Sequence, residues 1–396
     1  MLLAALIAIV LPTGPVAARA SLPRQVEALV TAGIREQRYP GAVVVMGRGN
    51  RTLLRRSYGS QTYEPSAPHM RVSTLFDMAS LTKVVATTPA AMLLLQDGSV
   101  ELDQPVWLYL PEFAARGKEG VTLRRLATHV SGLKAYESFT VVEKGRRPDE
   151  TTDAALLRRY ADLPLSYATG TKMVYSCLNM QTLAGLLQRV ANEDTETLLR
   201  RRLWGPLGMR DTTYRPTPSQ VRRAAPTAAT TDAKPVRGVI HDPLARYHTT
   251  ERTCPGNAGL FSTGQDLERF VRMMLAGGRR GRRVILRPET TRLAFTVSTP
   301  PTITSPRSVG WAVYTKPPYA DAADGDPAHT SIGHTGYTGT SIWMDHATGA
   351  YVIFLTNRVY PSPATKGDEG GSIEGIRASL IKALKDALAA EAKPKA

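Results

Sequence analysis

The chain of 396 residues is predicted to be α+β, with one mixed, mostly antiparallel sheet flanked by helices and a mainly helical lobe inserted between the two halves of the sheet. Strand-like runs near both ends predict this: 41–47 and 52–58 on one side, 309–315, 340–345 and 350–356 on the other. The stretch between them carries helical periodicity. A hydrophobic content of 42% over this length supplies more core than one average domain needs. A sheet built from both ends around a helical insertion leaves a cleft at the junction, a usual place for a site.

The elements follow in order. Residues 2–11, LLAALIAIVL, form an apolar run too short to span a bilayer comfortably, and Ala18-Arg19-Ala20 gives an A-x-A cleavage pattern. Residues 1–20 therefore read as a secretory signal peptide, which implies a periplasmic or secreted mature protein; the missing basic n-region leaves an uncleaved anchor as the alternative. No later stretch is long and apolar enough to form a stable membrane span. Residues 22–37 have helical periodicity, and 41–47 with 52–58 form a hairpin through Gly49-Asn50. The apolar run 84–95 predicts a buried helix, kinked at Pro89 and ending near Gly98. Helices at 122–129, 152–161, 179–190, 195–203 and 265–275 fill the middle. Residues 211–250 are rich in Pro, Thr and Arg without a period, which predicts a long surface loop. A helix at 373–390 closes the chain. The division expected is a signal at 1–20, one domain at 21–390 and a tail at 391–396. Within the domain, 21–79 and 300–390 form the sheet lobe and 80–299 the helical lobe.

Fifty Lys and Arg residues against 34 Asp and Glu give a formal charge of +16. The basic residues are scattered, with short groups only at 200–202 and 279–283, and no nucleic-acid motif accompanies them. That pattern describes a solvated basic surface and no nucleic-acid partner. There is no H-E-x-x-H, no clustered histidine set, no Walker loop and no G-x-S-x-G elbow, so neither a metal nor another cofactor is implied. His241-Asp242 reads as a loop pair.

The chemistry concentrates at Ser80 and Lys83. A serine hydroxyl is a poor nucleophile at its free pKa, and a lysine one helical turn on can activate it. The S-x-x-K spacing also occurs at Ser131 to Lys134 and at Ser379 to Lys382. Ser131 precedes Gly132 and reads as a turn; Ser379 lies on the solvated face of the closing helix. Only Ser80 opens a long apolar helix.

Further stretches accompany it: F-D-M-A-S-L-T-K at 76–83, L-A-T-H-V-S-G-L at 126–133, Y-S-C-L-N at 175–179, P-L-G-M-R-D-T at 206–212, N-A-G-L-F-S-T at 257–263 and G-H-T-G at 333–336. In that order, over about 41–356, the chain resembles the serine β-lactamase and penicillin-binding-protein superfamily. The resembling branch includes class C β-lactamases, D,D-carboxypeptidases, D-aminopeptidases and β-lactamase-like esterases. The resemblance implies a β-lactamase-like fold and a hydrolase that forms an acyl-serine on an ester or amide: a D-alanyl peptide of the cell wall, a D-amino acid amide, a small ester or a β-lactam. Ser80 would be the nucleophile, Tyr175 or Lys83 its base, and His334 an edge-strand partner near the leaving group or substrate carboxylate. The backbone N–H groups of Ser80 and Tyr337 would form the oxyanion hole. Thr335 and Gly336 would bind substrate, Gly336 by letting its backbone approach. His129 would brace the cleft.

Cys177 stands where the family commonly has an asparagine, and a thiol offers no amide to a substrate carbonyl. Asn179 and Asn257 are the candidate replacements. Cys177 and Cys254 both fall in cleft-associated stretches, so a disulfide joining the Tyr175 loop to the loop at 256–257 is expected for an exported chain. The histidine at 334 in place of lysine argues against a dedicated β-lactamase, because neutral imidazole is a poorer partner for a carboxylate than an ammonium. The second class consistent with the sequence is a penicillin- or muropeptide-binding sensor with the same fold and no turnover.

Overall fold

The computed structural model describes residues 21–232, 234–249, 253–320, 331–361 and 372–392. The expected signal peptide at 1–20 lies outside the described residues, as does 393–396 of the expected tail.

Six strands form the main sheet: β1 (Gly41–Arg48), β2 (Arg51–Gly59), β3 (Ala312–Tyr314), β4 (Ser331–Thr335), β5 (Ser341–Asp345) and β6 (Ala350–Thr356), in the order β2-β1-β6-β5-β4-β3. Neighbours pair antiparallel throughout. The two ends of the chain meet at the β1–β6 pairing, where Val44 faces Phe354. Strand periodicity sorts the side chains cleanly. Val43, Val45, Ile353 and Leu355 enter the large core beneath the sheet, whereas Val44, Met46, Val352 and Phe354 enter a smaller core on the other face. The first helix, α1 (Leu22–Arg35), and the last, Ser372–Glu391, close that smaller core through Val26, Val30, Leu380 and Leu384. On the inner face lies the helix Gly264–Leu275, and its first residue sits against Val43 and Val45.

The large core continues without a break into the helical middle of the chain, through Leu93, Leu126, Leu157, Leu183 and Trp204. Two expectations change there. Pro89 does not kink a regular helix. The segment after Ser80 runs as a 3-10 turn (Ala79–Leu81), a wider π turn (Lys83–Thr87) and then the α-helix Thr88–Gln96 with Pro89 in its first turn, where a missing N–H is tolerated. The carbonyl that Pro89 cannot serve, Val85 O, accepts instead from Trp204 Nε1 at 3.3 Å.

The described residues of 211–250 are not one long surface loop. They hold two short helices, Pro218–Arg222 and Pro243–His248, capped by Thr217 and Asp242, and bury Ala224, Leu244, Ala245 and His248. Capped single turns leave no long hydrophobic period to read. The segment pairs its backbone with Leu75 and donates His241 N–H to Asp77 Oδ2 at 2.8 Å, so it packs directly against the strand leading into Ser80.

Candidate active site

Ser80 sits half-buried just after Ala79, whose φ of 45° is left-handed in a residue that has a Cβ. The strain is held by Asp77, whose Oδ1 accepts from Ala79 N–H at 2.8 Å. Burial pushes the Asp77 carboxyl up to about 6, against its two backbone N–H donors. One turn on, Lys83 is fully buried, and its Nζ lies 2.9 Å from Ser80 Oγ and 2.7 Å from Asn257 O. Burial opposes its charge, yet Cys177 and Tyr175 beside it, Tyr175 also through a hydrogen bond, outweigh burial and hold its pKa above the ordinary lysine value. Lys83 is therefore an ammonium at neutral pH, donating to Ser80.

Asn257 O reaches Lys83 because the segment at 256–257 passes tightly between two helices. A Cβ at Gly256 would stand 1.8 Å from Met180 O, and Gly256 O accepts from Thr87 Oγ1 at 2.8 Å. The Asn257 side chain is spent inside the protein, accepting from Gln181 Nε2 and donating to Asp242 Oδ1. Asn179 is likewise buried and committed, accepting from Ser131 Oγ at 2.6 Å with its amide nitrogen 3.4 Å from His129 Nδ1. The expectation that either asparagine offers an amide to substrate is corrected: both brace the site.

Tyr175, 37% exposed, lies at the centre. Lys83 Nζ is 5.0 Å from its ring centroid, the His129 ring 4.6 Å and the His334 ring 5.9 Å. His129 accepts Ser176 N–H on Nδ1, which leaves the hydrogen on Nε2. His334 donates from Nδ1 to Thr335 O at 2.9 Å, which leaves Nε2 as an acceptor, buried and without a partner. Burial, Arg307 and Lys83 together hold His334 neutral, well below the usual histidine range.

The end of β4 carries His334 and Thr335. Strand β3 pairs only with Ser331, Ile332 and Gly333, so the last two residues run past the edge strand with their outer backbone unpaired by it. The turn that follows is pinned to the nucleophile segment. Thr338 Oγ1 donates to Asp77 O at 2.7 Å and Thr340 Oγ1 to Met78 O at 3.1 Å. Gly336 makes this approach possible, since a Cβ there would meet Thr340 Oγ1 at 2.1 Å and Met78 O at 2.5 Å. Gly336 thus admits the protein's own nucleophile segment. Pinning brings Tyr337 to the Ser80 segment, and neither the Ser80 nor the Tyr337 N–H has an acceptor among the described residues.

The expected disulfide is absent: Cys177 and Cys254 are both free. Cys177 begins the helix Cys177–Ala191 beside Lys83, whereas Cys254 N–H bonds Gln188 Oε1 near the other end of that helix. Eleven residues of helix rise about 16 Å, more than twice the Cα separation a disulfide spans. Sequence reasoning also missed Arg307. The residue is 8% exposed and its Cζ lies 5.7 Å from the Tyr175 ring centroid. One arginine among many scattered basic residues gives no signal before burial is known.

A serine bonded to a buried ammonium, with a phenol alongside and two free N–H donors nearby, can support acyl transfer from an ester or amide. The comparisons agree with that class. The chain belongs to the β-lactamase family, whose profile matches residues 26–371. It is 30% identical to esterase EstB of Burkholderia gladioli over 93% of this chain and 95% of that protein. It is 27% identical to N-acetylmuramyl-L-alanine amidase of Bacillus subtilis (strain 168), over 88% and 86%. Among solved structures, EstCE1, a hydrolase with promiscuous acyltransferase activity, superposes with a TM-score of 0.72 at 23% identity, covering 92% of this chain and 98% of that one. The chain is thus a hydrolase of the serine β-lactamase and penicillin-binding-protein type with the α+β fold expected, and no helix among the described residues is long and apolar enough to cross a membrane.

Proposed function

We propose that the protein is an exported serine hydrolase that cleaves ester or amide substrates through an acyl-Ser80 intermediate. The observation that carries the reading is the buried Lys83 ammonium bonded to Ser80 Oγ. Because Lys83 rests charged, the base is Tyr175, which the ammonium holds beside the serine. Tyr175 acts as its phenolate, paired with the Lys83 ammonium: Ser80 Oγ bonds to the carbonyl carbon as its proton passes to the phenolate oxygen, and the carbonyl π pair moves to the carbonyl oxygen. The oxyanion takes the Ser80 and Tyr337 N–H groups. Tyr175 then returns the proton to the leaving group as the carbonyl–heteroatom bond breaks, and water repeats the sequence to release the acid. His334 Nε2, an acceptor, is placed to orient the N–H of an amine leaving group or the incoming water. Export is supported by the apolar run at 2–11 and the A-x-A pattern at 18–20.

The test is turnover of p-nitrophenyl acetate and butyrate, a D-alanyl-D-alanine peptide and a fluorescent penicillin by the wild type, Ser80→Ala and Tyr175→Phe. Turnover lost in Ser80→Ala supports the reading. Stable labelling by the penicillin without turnover of any substrate supports the sensor instead, and full activity in Ser80→Ala ends both.

A further inference from the structure

The two short basic groups of the sequence, at 200–202 and 279–283, are brought side by side by the fold. Arg279–Arg280 and Arg283–Val284 pair as a short exposed hairpin. Arg280 Nη1 donates to Pro206 O at 2.6 Å, just beyond the turn Arg200–Trp204 that carries Arg200, Arg201 and Arg202. Arg210 N–H closes the same corner on Gly208 O at 3.1 Å. Arg280 and Arg283 stand directly opposite each other across the hairpin, an arrangement of like charges that is destabilising. The carboxylates within this face are already taken: Asp97 by Arg202, Glu193 by Arg201, Glu196 by both Arg200 and Arg215, and Asp211 by Arg223. Arg210, Arg282 and Arg283 have no ion pair or side-chain hydrogen bond among the described residues, and Arg279 and Arg280 bond only carbonyl oxygens.

We propose that this face binds a linear polymer bearing closely spaced phosphate groups, and so retains the enzyme on an anionic matrix. Adjoining the corner is a cavity of about 640 Å³ lined by Arg200, Arg201, Arg210 and Arg215, a size common among ligand pockets. Its arginines are fixed before any ligand arrives. Buried Glu196 accepts from Arg200 Nη2 at 2.7 Å, Arg215 Nη1 at 2.9 Å and Thr213 Oγ1 at 2.6 Å, so one carboxylate positions two guanidiniums and cancels the charge of one. Arg200 bonds through Nη2 alone, which leaves its Nε and Nη1 for a ligand. A guanidinium presents its donors in a planar fork that matches phosphate oxygens. The cavity distinguishes a polymer from other polyanions. A flat layer of lipid headgroups reaches the hairpin but not a recess, and no aromatic side chain among the described residues lines the recess to stack a nucleic-acid base. A flexible chain lies along the hairpin and lowers its phosphates into the recess. Clustered like charges repel one another, and a polyanion relieves that repulsion while releasing its own counter-ions. No arginine of this face bonds a residue of the Ser80 site, so the inference stands apart from the reaction there.

The experiment measures binding of the full chain to fluorescently labelled inorganic polyphosphate by anisotropy. The wild type is expected to bind, and to weaken roughly 20- to 50-fold when salt rises about fourfold, as release of about three or four counter-ions requires. Replacing Arg210, Arg282 and Arg283 together by Gln should weaken binding by roughly 100-fold, at about fivefold for each cation lost. The same three replaced by Glu should bind more weakly still. The control replaces exposed Arg24, Arg35 and Arg56, on α1 and β2, by Glu. It makes the same change in net charge and should stay within about threefold of wild type, because distant exposed charges are screened. Hydrolysis of p-nitrophenyl butyrate, expected unchanged throughout, reports that each variant is folded. No binding by the wild type at about 0.15 M salt overturns the proposal. Equal weakening in the control also overturns it, and assigns binding to the net charge of the chain. Tighter binding of phosphatidylglycerol vesicles or of single-stranded DNA, lost in the same Arg210, Arg282 and Arg283 variants, overturns the polymer in favour of a bilayer or a nucleic acid.

Discussion

Replacing Gly336 by alanine perturbs the site without touching a reacting group. The added Cβ would stand 2.1 Å from Thr340 Oγ1 and 2.5 Å from Met78 O. Ordinary carbon contacts lie near 3.5 Å, so the turn must withdraw by about 1 Å. Rotating Thr340 away relieves one contact, but Met78 O is backbone and belongs to the segment that carries Ser80. The withdrawal loosens the bonds from Thr338 Oγ1 to Asp77 O and from Thr340 Oγ1 to Met78 O, which position the Tyr337 N–H. Displacing one oxyanion donor costs about 3–4 kcal/mol of transition-state stabilisation, a fall of roughly 100- to 1000-fold in kcat. Overpacking adds about 1–3 kcal/mol of destabilisation, which lowers Tm by several degrees without unfolding the protein at 25 °C. The assay is steady-state hydrolysis of p-nitrophenyl butyrate, normalised to the folded fraction by circular dichroism. A Gly336→Ala enzyme within twofold of wild type would refute the claim that this turn builds half of the oxyanion hole.

Other outcomes follow from particular contacts. Asp77 has a raised folded pKa, about 6 against an unfolded 3.8, so it retains a proton that the unfolded chain has lost. Stability therefore falls as pH rises from about 4 to 6, by roughly 3 kcal/mol, and urea unfolding of Asp77→Asn should lack that slope. Two free thiols should appear by mass mapping after denaturation under non-reducing conditions. Half-buried Cys177 should be alkylated in the native protein, and Cys254, buried and with its pKa pushed well up, only after unfolding; a Cys177–Cys254 linked peptide would contradict the fold around the helix Cys177–Ala191. Trp204→Phe leaves Val85 O without a donor and should cost about 1–3 kcal/mol. Adding Pro89→Ala, which restores an N–H to that turn, should recover part of the loss, and strict additivity in a double-mutant cycle would show that the indole does not serve that carbonyl.

Five of the six strands were legible because they alternate or are uniformly apolar, and β6 falls on the expected 350–356; β4, S-I-G-H-T, carries neither pattern and was set on a strand only by the resemblance at 333–336. The nucleophile segment was legible through Ser80, Lys83 and the apolar run behind them. Other features depend on contacts that no local pattern encodes. Residues 211–250 pack through single capped turns, too short to show a period. Asn179 and Asn257 look like free amides until Ser131, Gln181 and Asp242 are seen to occupy them. The disulfide expectation failed because two cysteines near one cleft in sequence terms lie toward opposite ends of a helix. Arg307 was invisible because burial, not identity, distinguishes it from the other basic residues.

The central claim is that acyl transfer passes through Ser80. Its most direct test is intact-mass analysis of the enzyme quenched in acid within milliseconds of mixing with p-nitrophenyl butyrate, followed by peptide mapping. The account predicts one butyryl group on the peptide that contains Ser80, its absence in Ser80→Ala, and faster accumulation than release. Adduct-free enzyme during full turnover, or an acyl group mapped to Cys177, Ser131 or Ser379, would contradict it.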